Sequence, residues 1–494
     1  MIQERLADEL FVVVSNREPY VHRYDGEAIF WDVPPGGLTL ALDPVMRACG
    51  GLWIAHGSGS ADRATVDEHS HIEVPPDTPA YTLRRLWLTE EEEAGYYYGF
   101  ANEGLWPLCH IAYTRPAFNV SDWEQYRAVN RKFADAVLEE VGDRRAFVFI
   151  QDYHLALLSR LLKRPNIRTA QFWHIPWPNP EAFRICPFDE EILDGLLGND
   201  LLGFQILHHC QNFMDTVDRV LEARVDRERS EVIRGGATTL VKPFPISVDF
   251  NGIAAHTGGP AVEEEAKRLA ARYRLRNRIV AVGVDRINYT KGIPERLQAI
   301  DRFLQRHPEF AERFVFVEVG VPSRIEIPMY QRLNAELDHL VRAINWRHRT
   351  LTWQPIVFIK RAISPTTLHA WYRLARVAMV TSLHDGMNLV AKEFVASRIQ
   401  EDGVLILSQF TGAARELTEA HLVNPYAVDE MADVLFQAVS MPLEEQQRRM
   451  RRLQALVREQ NIFRWAGSII STLFAFEFQE ASPVLAAGSG MPLR

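Results

Sequence analysis

Four cysteines in 494 residues, Cys49, Cys109, Cys186 and Cys210, are too few and too scattered to make a C-x-x-C or zinc-type cluster. This spacing argues for free thiols in a reducing compartment. No apolar run approaches the ~20 residues that span a bilayer. The charged start MIQERLADEL runs directly into FVVVS with no apolar leader between them. A soluble cytoplasmic protein without a membrane partner is therefore expected. The net charge of −9 and the pI near 6.0 lack the broad basic surface that a nucleic-acid partner requires. Neither a G-x-x-x-x-G-K-[ST] loop nor an Asp-x-Asp triplet that could hold a metal against a diphosphate occurs. HGSGSAD contains G-x-G without the last glycine or the strand-to-helix placement of a dinucleotide fingerprint. HHC at 208–210 has no metal-ligand spacing. Neither a cofactor nor a metal is expected, and no nucleophile-and-base pair of the usual kind stands out.

What is present is an alternation of short apolar runs with helix-like stretches. Phe11–Ser15, Leu52–Ala55, Phe147–Gln151, Thr169–Trp173, Leu201–Gln205, Ile279–Val284, Phe314–Val319, Ile356–Ile359, Val377–Thr381 and Val404–Ser408 read as buried strands. Strands separated by helices imply parallel sheets covered on both faces, so the chain is α/β. Pro243 and Pro245 interrupt the pattern in LVKPFPISVDFNG. We expect the boundary there, with one domain over 1–245 and a second over 246–460. A helix over about 461–478 fits either half, and 481–494 reads as a flexible tail.

Several segments fall where strands end, the place where open α/β sheets bind ligands. In VDRINYTKGIPER, Pro294 suits a first helical turn, so a helix should start near Gly292. Arg286 and Lys291 then sit beside the positive end of that helix, which disfavours a cation by roughly 0.3–1 kcal/mol. The simplest account is that an anion, phosphate foremost, arrives as ligand. SNR, ending in Arg17, is followed by Gly36 and Gly37, which would let backbone N–H groups approach a phosphate, although a plain turn also fits. IQDYHL offers Asp152, either for a sugar hydroxyl or as a helix cap. FWHIPWPNP places His174 in a proline-stiffened loop, where a structural histidine is the ordinary alternative. In SLHDGMNLVAKE, Asp385 and Gly386 are predicted to open a helix whose N–H groups face a diphosphate. Glu393, about two turns on, would accept the hydroxyls of a ribose. EPYVHRYDGEAIFWDVPP reads as a hairpin over a cleft. TEEEEAG reads as a helix start capped by Thr89, and EEQQRRMRRLQ as a solvated helix face.

Taken in order, VVVSNR, GGL, YYYGFANEGLWP, QDYHL, HIPWP, DRINYTKGIPER and DGMNLVAKEF…LILSQFTGAARELT…NPY resemble the trehalose-6-phosphate synthase family from about residue 11 to 475. The resemblance implies a GT-B fold, two Rossmann-like domains facing across a cleft, with a final helix crossing back to the first. It also implies metal-free transfer of glucose from UDP-glucose to glucose 6-phosphate, with retention of the α configuration. By the same resemblance Arg286 and Lys291 hold the diphosphate, approached by Gly36 and Gly37. Glu393 binds the ribose; Asp385 and the following Gly386, Met387, Asn388, Leu389 and Val390 orient the transferred glucose, with His174 nearby. Arg17, Tyr98, Trp106 and Arg324 hold the phosphorylated acceptor, and Asp152 its hydroxyls. Three positions depart from the family: Asn288 stands for an aspartate, His384 for an arginine and His56 for a tryptophan. The REPY start resembles that of the related glucosylglycerol-phosphate synthases, which use glycerol 3-phosphate, while Tyr98, Ile175 and Arg324 follow the trehalose pattern. A non-catalytic sugar-phosphate sensor is the reading of a different class. Oligomeric state and nucleotide base stay open.

Overall fold

The structure is a computed structural model and describes residues 9–34 and 37–478. Two sheets carry the architecture. The first has ten strands, seven of them parallel: Leu10–Arg17, Leu52–His56, Tyr81–Leu86, Ala146–Gln151, Ile167–Phe172, Leu201–Phe204 and Ala237–Pro243. Numbered along the chain, these seven lie side by side as 3-2-1-4-5-6-7, with short antiparallel strands at both edges. The second sheet contains Ile279–Arg286, Phe314–Val321, Ile356–Ile359, Val377–Val380, Val404–Ser408 and His421–Val423, all parallel, in the order 3-2-1-4-5-6. Both are therefore Rossmann-like. In each, the strand order reverses between strands 1 and 4, which is where such sheets open a crevice at their carboxyl ends. The crevices are bounded by the ends of the strands finishing at Arg17 and Gln151 in one sheet and at Arg286 and Val380 in the other.

Every residue of Ala146–Gln151 and Ile167–Phe172 is buried, as expected of central parallel strands covered on both faces. These continuous apolar runs made the central strands readable. The strands that went unread are edges or broken patterns: His71–Val74, Arg224–Asp226, Glu231–Arg234 and His421–Val423 are three or four residues long. In Tyr81–Leu86 the alternation is hidden because Arg85 is fully buried. The expected hairpin is present, Val21–Asp25 pairing antiparallel with Ala28–Asp32 around Gly26 at φ +62°.

After the second sheet the chain returns to the first. Asn461 caps the helix Ile462–Leu473 by accepting the Arg464 N–H at 3.0 Å. Ile462, Trp465, Ala466, Ile469, Ile470 and Leu473 form one buried stripe at helical spacing. Trp465 meets Phe172 edge-on at 5.2 Å and Phe149 at 6.3 Å, and Phe474 lies 4.5 Å from Phe147, all ring centroid distances. This contact fixes the helix, and with it the second half, against strands of the first sheet. Truncating Trp465 to alanine should cost about 3–5 kcal/mol of stability by cavity formation, read as a lower denaturant midpoint.

Candidate active site

The loop after the first strand of the second sheet is built around a buried cation. Arg296, fully buried on the helix Ile293–Arg306, donates from Nη2 to Asp285 Oδ2 at 2.5 Å and from Nη1 to Glu318 Oε2 at 3.1 Å. It also donates from Nε to Thr381 Oγ1 at 3.0 Å and from Nη2 to the Lys291 carbonyl at 3.2 Å. One guanidinium thus ties both ends of the segment 285–291. Burial pushes the Glu318 carboxyl up, against the pull of Arg296. The fork needs space: a Cβ on Gly283 would stand 2.1 Å from Arg296 Nη1. Asn288 Oδ1 accepts the Thr290 N–H at 3.0 Å and caps the short turn Tyr289–Lys291. Gly292 follows at φ +62°, and its α-hydrogen side faces the Thr381 carbonyl so closely that a Cβ would be 2.2 Å away. The helix starts at Ile293 with Pro294 in its first turn, as expected.

The anion expected beside the two cations is met within the chain for one of them only. Lys291 Nζ donates to Asp385 Oδ2 at 2.5 Å. Asn388 Nδ2 and Ser382 Oγ donate to the same oxygen at 3.2 and 3.3 Å. Burial raises the Asp385 carboxyl, but Lys291 and these donors more than offset it and hold it below its ordinary value. Arg286, by contrast, has no hydrogen-bond or ion-pair partner among the described residues. Burial, then Arg324 and Arg17, lower its pKa from the usual guanidinium value.

Asp385 and Gly386 do not open the helix, contrary to expectation. The helix is Leu389–Ser397, capped by Asn388, whose Oδ1 accepts the Ala391 N–H at 3.2 Å. An asparagine at φ +89° ends the loop, so Asp385 is freed for Lys291 and Glu393 lies little more than one turn in. Glu393 accepts from the Tyr372 hydroxyl at 3.1 Å, and burial raises its pKa. Gly386 sits against the other half of the molecule, where a Cβ would be 2.3 Å from the His174 carbonyl oxygen.

The first half contributes a matching set. Arg17 Nη2 donates to the Tyr97 hydroxyl at 3.1 Å. Burial works to raise the Tyr97 phenol, but Arg17, Arg324 and Arg286 outweigh it and bring the phenol down to about 8. Tyr97 takes the place expected of Tyr98. Residues 94–105 form wide helical turns, closed by the Trp106 N–H donating to Ala101 five residues back, and this register turns Tyr97 to the cleft and leaves Tyr98 off its wall. Arg324, at φ +52°, lies 4.3 Å over the Trp106 ring and donates to the hydroxyls of Tyr330 at 2.8 Å and Tyr153 at 3.4 Å. Asp152, at φ +69°, accepts the His174 N–H at 3.1 Å. Burial pushes its carboxyl up to about 7, against the N–H donors and Arg286 and Arg324. His174 Nε2 lies 3.0 Å from Gln151 Oε1, and burial takes the ring down to about 3, so it is neutral.

These groups line one cavity of about 450 Å³ between the halves. Arg17, Trp106, Asp152, His174, Arg286, Lys291, Arg324, Asp385, Met387, Asn388, Leu389, Val390 and Glu393 are on its wall. Gly386 is not on the wall but packs against the His174 carbonyl, Gly37 begins the helix Gly37–Cys49, and Gly36 lies outside the described residues. Sequence reasoning missed Tyr97, Tyr153, His110 and Gln205, which also line the cavity, and singled out His154 in IQDYHL without giving it a role. Only Tyr97 and Tyr153 carried a signal, standing beside residues already singled out. Arg17, Arg286 and Arg324 face this cavity without a carboxylate within 4 Å among the described residues. The arrangement can hold two anionic groups side by side, with Asp152, Asp385 and Glu393 placed to accept hydroxyls. Among the described residues no His, Cys, Asp and Glu cluster has a metal-holding arrangement, and no helix is long and apolar enough to cross a membrane.

Residues 9–475 match Glycosyltransferase family 20. The chain belongs to this family. Its chemistry is glycosyl transfer, and the family resemblance read from the motifs holds. The chain is 36% identical over 478 residues to the trehalose-6-phosphate synthase of Mycolicibacterium vanbaalenii, covering 94% of this chain and 96% of that one. It is 37% identical to a bifunctional trehalose-6-phosphate synthase/phosphatase of Thermoproteus tenax, of whose length it spans 63%. Among solved structures it resembles the E. coli protein bound with UDP-2-fluoro glucose (TM-score 0.85, 30% identity, 95% of this chain and 100% of that one). It also resembles the Burkholderia xenovorans synthase in complex with glucose-6-phosphate (TM-score 0.83, 30% identity, 94% and 99%). The GT-B fold of two Rossmann-like domains follows.

Within family 20 the three departures have local explanations in part. Asn288 caps its turn with an amide oxygen, a task that needs no charge. His384 stands perpendicular to His110 at 6.4 Å, and burial lowers its pKa. His56 Nδ1 lies 3.2 Å from the Leu86 carbonyl. Removing the fork of Arg296 leaves two buried carboxylates unpaired, so Arg296→Ala should lose about 3–5 kcal/mol of stability, measured by denaturant unfolding. Gly386→Ala should separate the halves at His174 and reduce turnover by at least tenfold while leaving most of the stability, read by kinetics and melting temperature together.

Proposed function

We propose that this enzyme moves glucose from UDP-glucose to glucose 6-phosphate, giving α,α-trehalose 6-phosphate and UDP with retention at the anomeric carbon. The observation that carries this reading is the set of three guanidinium groups, Arg17, Arg286 and Arg324, converging on one cavity from both halves without carboxylate partners. A site with one anionic ligand would need fewer; two phosphate-bearing substrates account for all three. Solved relatives with a UDP-sugar and with glucose 6-phosphate bound support the assignment of the two anions.

In this reading Arg286 and Lys291 bind the diphosphate of the donor, and Glu393 binds its ribose. Arg17, Tyr97, Trp106 and Arg324 bind the acceptor phosphate. Asp152, Asp385 and the neutral His174 orient sugar hydroxyls. The bond from the anomeric carbon to the leaving phosphate oxygen breaks while the acceptor hydroxyl attacks from the same face. The hydroxyl proton passes to the departing phosphate oxygen, so no enzyme nucleophile is needed. Charge gathers on that oxygen, where Arg286 and Lys291 are already in place. The first domain in this scheme is 1–245 with the returning helix, the second 246–460, and the setting is cytoplasmic.

The purified chain given UDP-glucose and glucose 6-phosphate, with chelator present, should release UDP and form a non-reducing disaccharide phosphate. Release with glycerol 3-phosphate alone would overturn the acceptor assignment. Arg286→Ala should lose about 2.7–4 kcal/mol of transition-state stabilisation; turnover near that of the parent enzyme would remove its proposed role. The acceptor kcat/KM should follow a bell. It rises through about pH 7 as the Asp152 carboxyl, raised by burial, ionises and can accept a hydroxyl. It falls through about pH 8 as the Tyr97 phenol loses its proton and repels phosphate. Tyr97→Phe should remove the alkaline limb and leave the acid limb.

A further inference from the structure

A second group of unpaired arginines lies at the opposite end of the second sheet. A cavity of about 370 Å³ opens below the amino ends of the strands Ile279–Arg286, Phe314–Val321 and Ile356–Ile359. Arg272, Arg274, Arg278 and Arg349 line it, together with Thr350 and Thr352, and no Asp or Glu is on its wall. The strand that starts beside it ends at Arg286 eight residues later, roughly 26 Å away at ~3.3 Å per residue. It is therefore separate from the cleft.

None of the four guanidinium groups has a carboxylate within 4 Å among the described residues. Some arginines elsewhere in this acidic chain do have acid partners, Arg306 with Asp429 and Asp433, Arg448 and Arg449 with Glu445; what sets these four apart is that they share one cavity wall. Glu265, whose carboxyl feels the Arg272 charge, is engaged already, accepting both Nε and Nη2 of Arg268 at 2.6 Å. Arg278 is held at one edge only, by Nε donating to the Glu312 carbonyl at 3.1 Å. The Arg349 guanidinium carbon lies 4.1 Å from the Trp346 ring centroid, a cation–π contact that uses none of its N–H donors. The floor is firm: Trp353 is buried and donates from Nε1 to the Phe314 carbonyl at 2.8 Å. Four like charges around one cavity repel one another, and the missing partner is an anion.

We propose that this cavity binds a small anion with two or more negative charges, a diphosphate-bearing or doubly phosphorylated metabolite. Its size suits such a molecule. The net charge of −9 on the whole chain argues against a nucleic-acid track. The forked N–H groups of Arg suit phosphate oxygens, and the two threonine hydroxyls add neutral donors.

Inorganic tripolyphosphate, titrated calorimetrically into the full chain at low salt, is the probe. Two classes of site are expected in the unaltered protein. Arg286→Ala should remove the cleft class alone. Arg274→Glu with Arg349→Glu should weaken the other class at least tenfold and leave UDP release unchanged. Both of these arginines are exposed and make no side-chain hydrogen bond, so an unchanged melting temperature is expected; Arg274→Ala with Arg349→Ala provides the same test without charge reversal. A single class abolished by Arg286→Ala, or two classes untouched by either double substitution, would overturn the proposal.

Discussion

A buried guanidinium gripping a carboxylate next in sequence to a cleft-facing arginine is the constraint on which the site depends, and it occurs twice. In the second half Arg296 holds Asp285, and Arg286 follows. In the first half the fully buried Arg85 donates from Nε to Glu18 Oε2 at 2.7 Å, and Arg17 precedes it. Arg85 also reaches Asp62 at 3.0 Å, the Tyr20 carbonyl at 3.0 Å and Thr65 Oγ1 at 2.9 Å. Breaking such a pair from one side costs far more than replacing both partners with apolar groups. The pairs therefore act as anchors, holding strand ends in a fixed register so that the neighbouring arginine projects into the cavity.

Three unpaired cations in one cavity repel one another, and their surroundings moderate that repulsion without cancelling it. Their contacts are neutral: the Tyr97, Tyr153 and Tyr330 hydroxyls and the Trp106 ring. Burial keeps His110 and His174 near 3 and His154 well below its ordinary value, so none adds charge. Asp152 sits close enough to neutralise but is itself pushed towards its protonated form. A carboxylate in firm contact with Arg17 or Arg286 would compete with the incoming phosphate. The site instead leaves attraction in reserve, and ligand supplies the counter-charge.

Nine of the ten strands read from the sequence lie inside their sheets, where burial on both faces writes a continuous apolar run; the tenth, Ile356–Ile359, is a half-buried edge that is apolar throughout. Much of the cavity wall was readable too, since Arg286, Lys291, Asp385 and Glu393 lie where such strands end. Tyr97 was not, because the turn of residues 94–105 is wider than an α-helix and no spacing rule assigns its faces. Nor was the true start of the Leu389–Ser397 helix: Asn388 adopts a positive φ, which moved the cap three residues beyond Asp385. The Arg296 and Arg85 networks were hidden for a different reason. A buried arginine resembles a solvated one until its partners, distant in sequence, are known.

Lys291 shows how the ligand-free site keeps its geometry. Alone at the positive end of a helix, its ammonium would be repelled by the backbone and by Arg286. The Asp385 carboxylate holds it instead, and Asn388 and Ser382 hold the carboxylate in turn. Gly386 presses the same loop against the His174 carbonyl, so this pair lies where the two halves meet. A diphosphate arriving at Arg286 would offer Lys291 a second anion without requiring it to leave the first, because an ammonium carries three donors. The ion pair thus orients the lysine before substrate arrives, and the unpaired arginine beside it supplies the attraction.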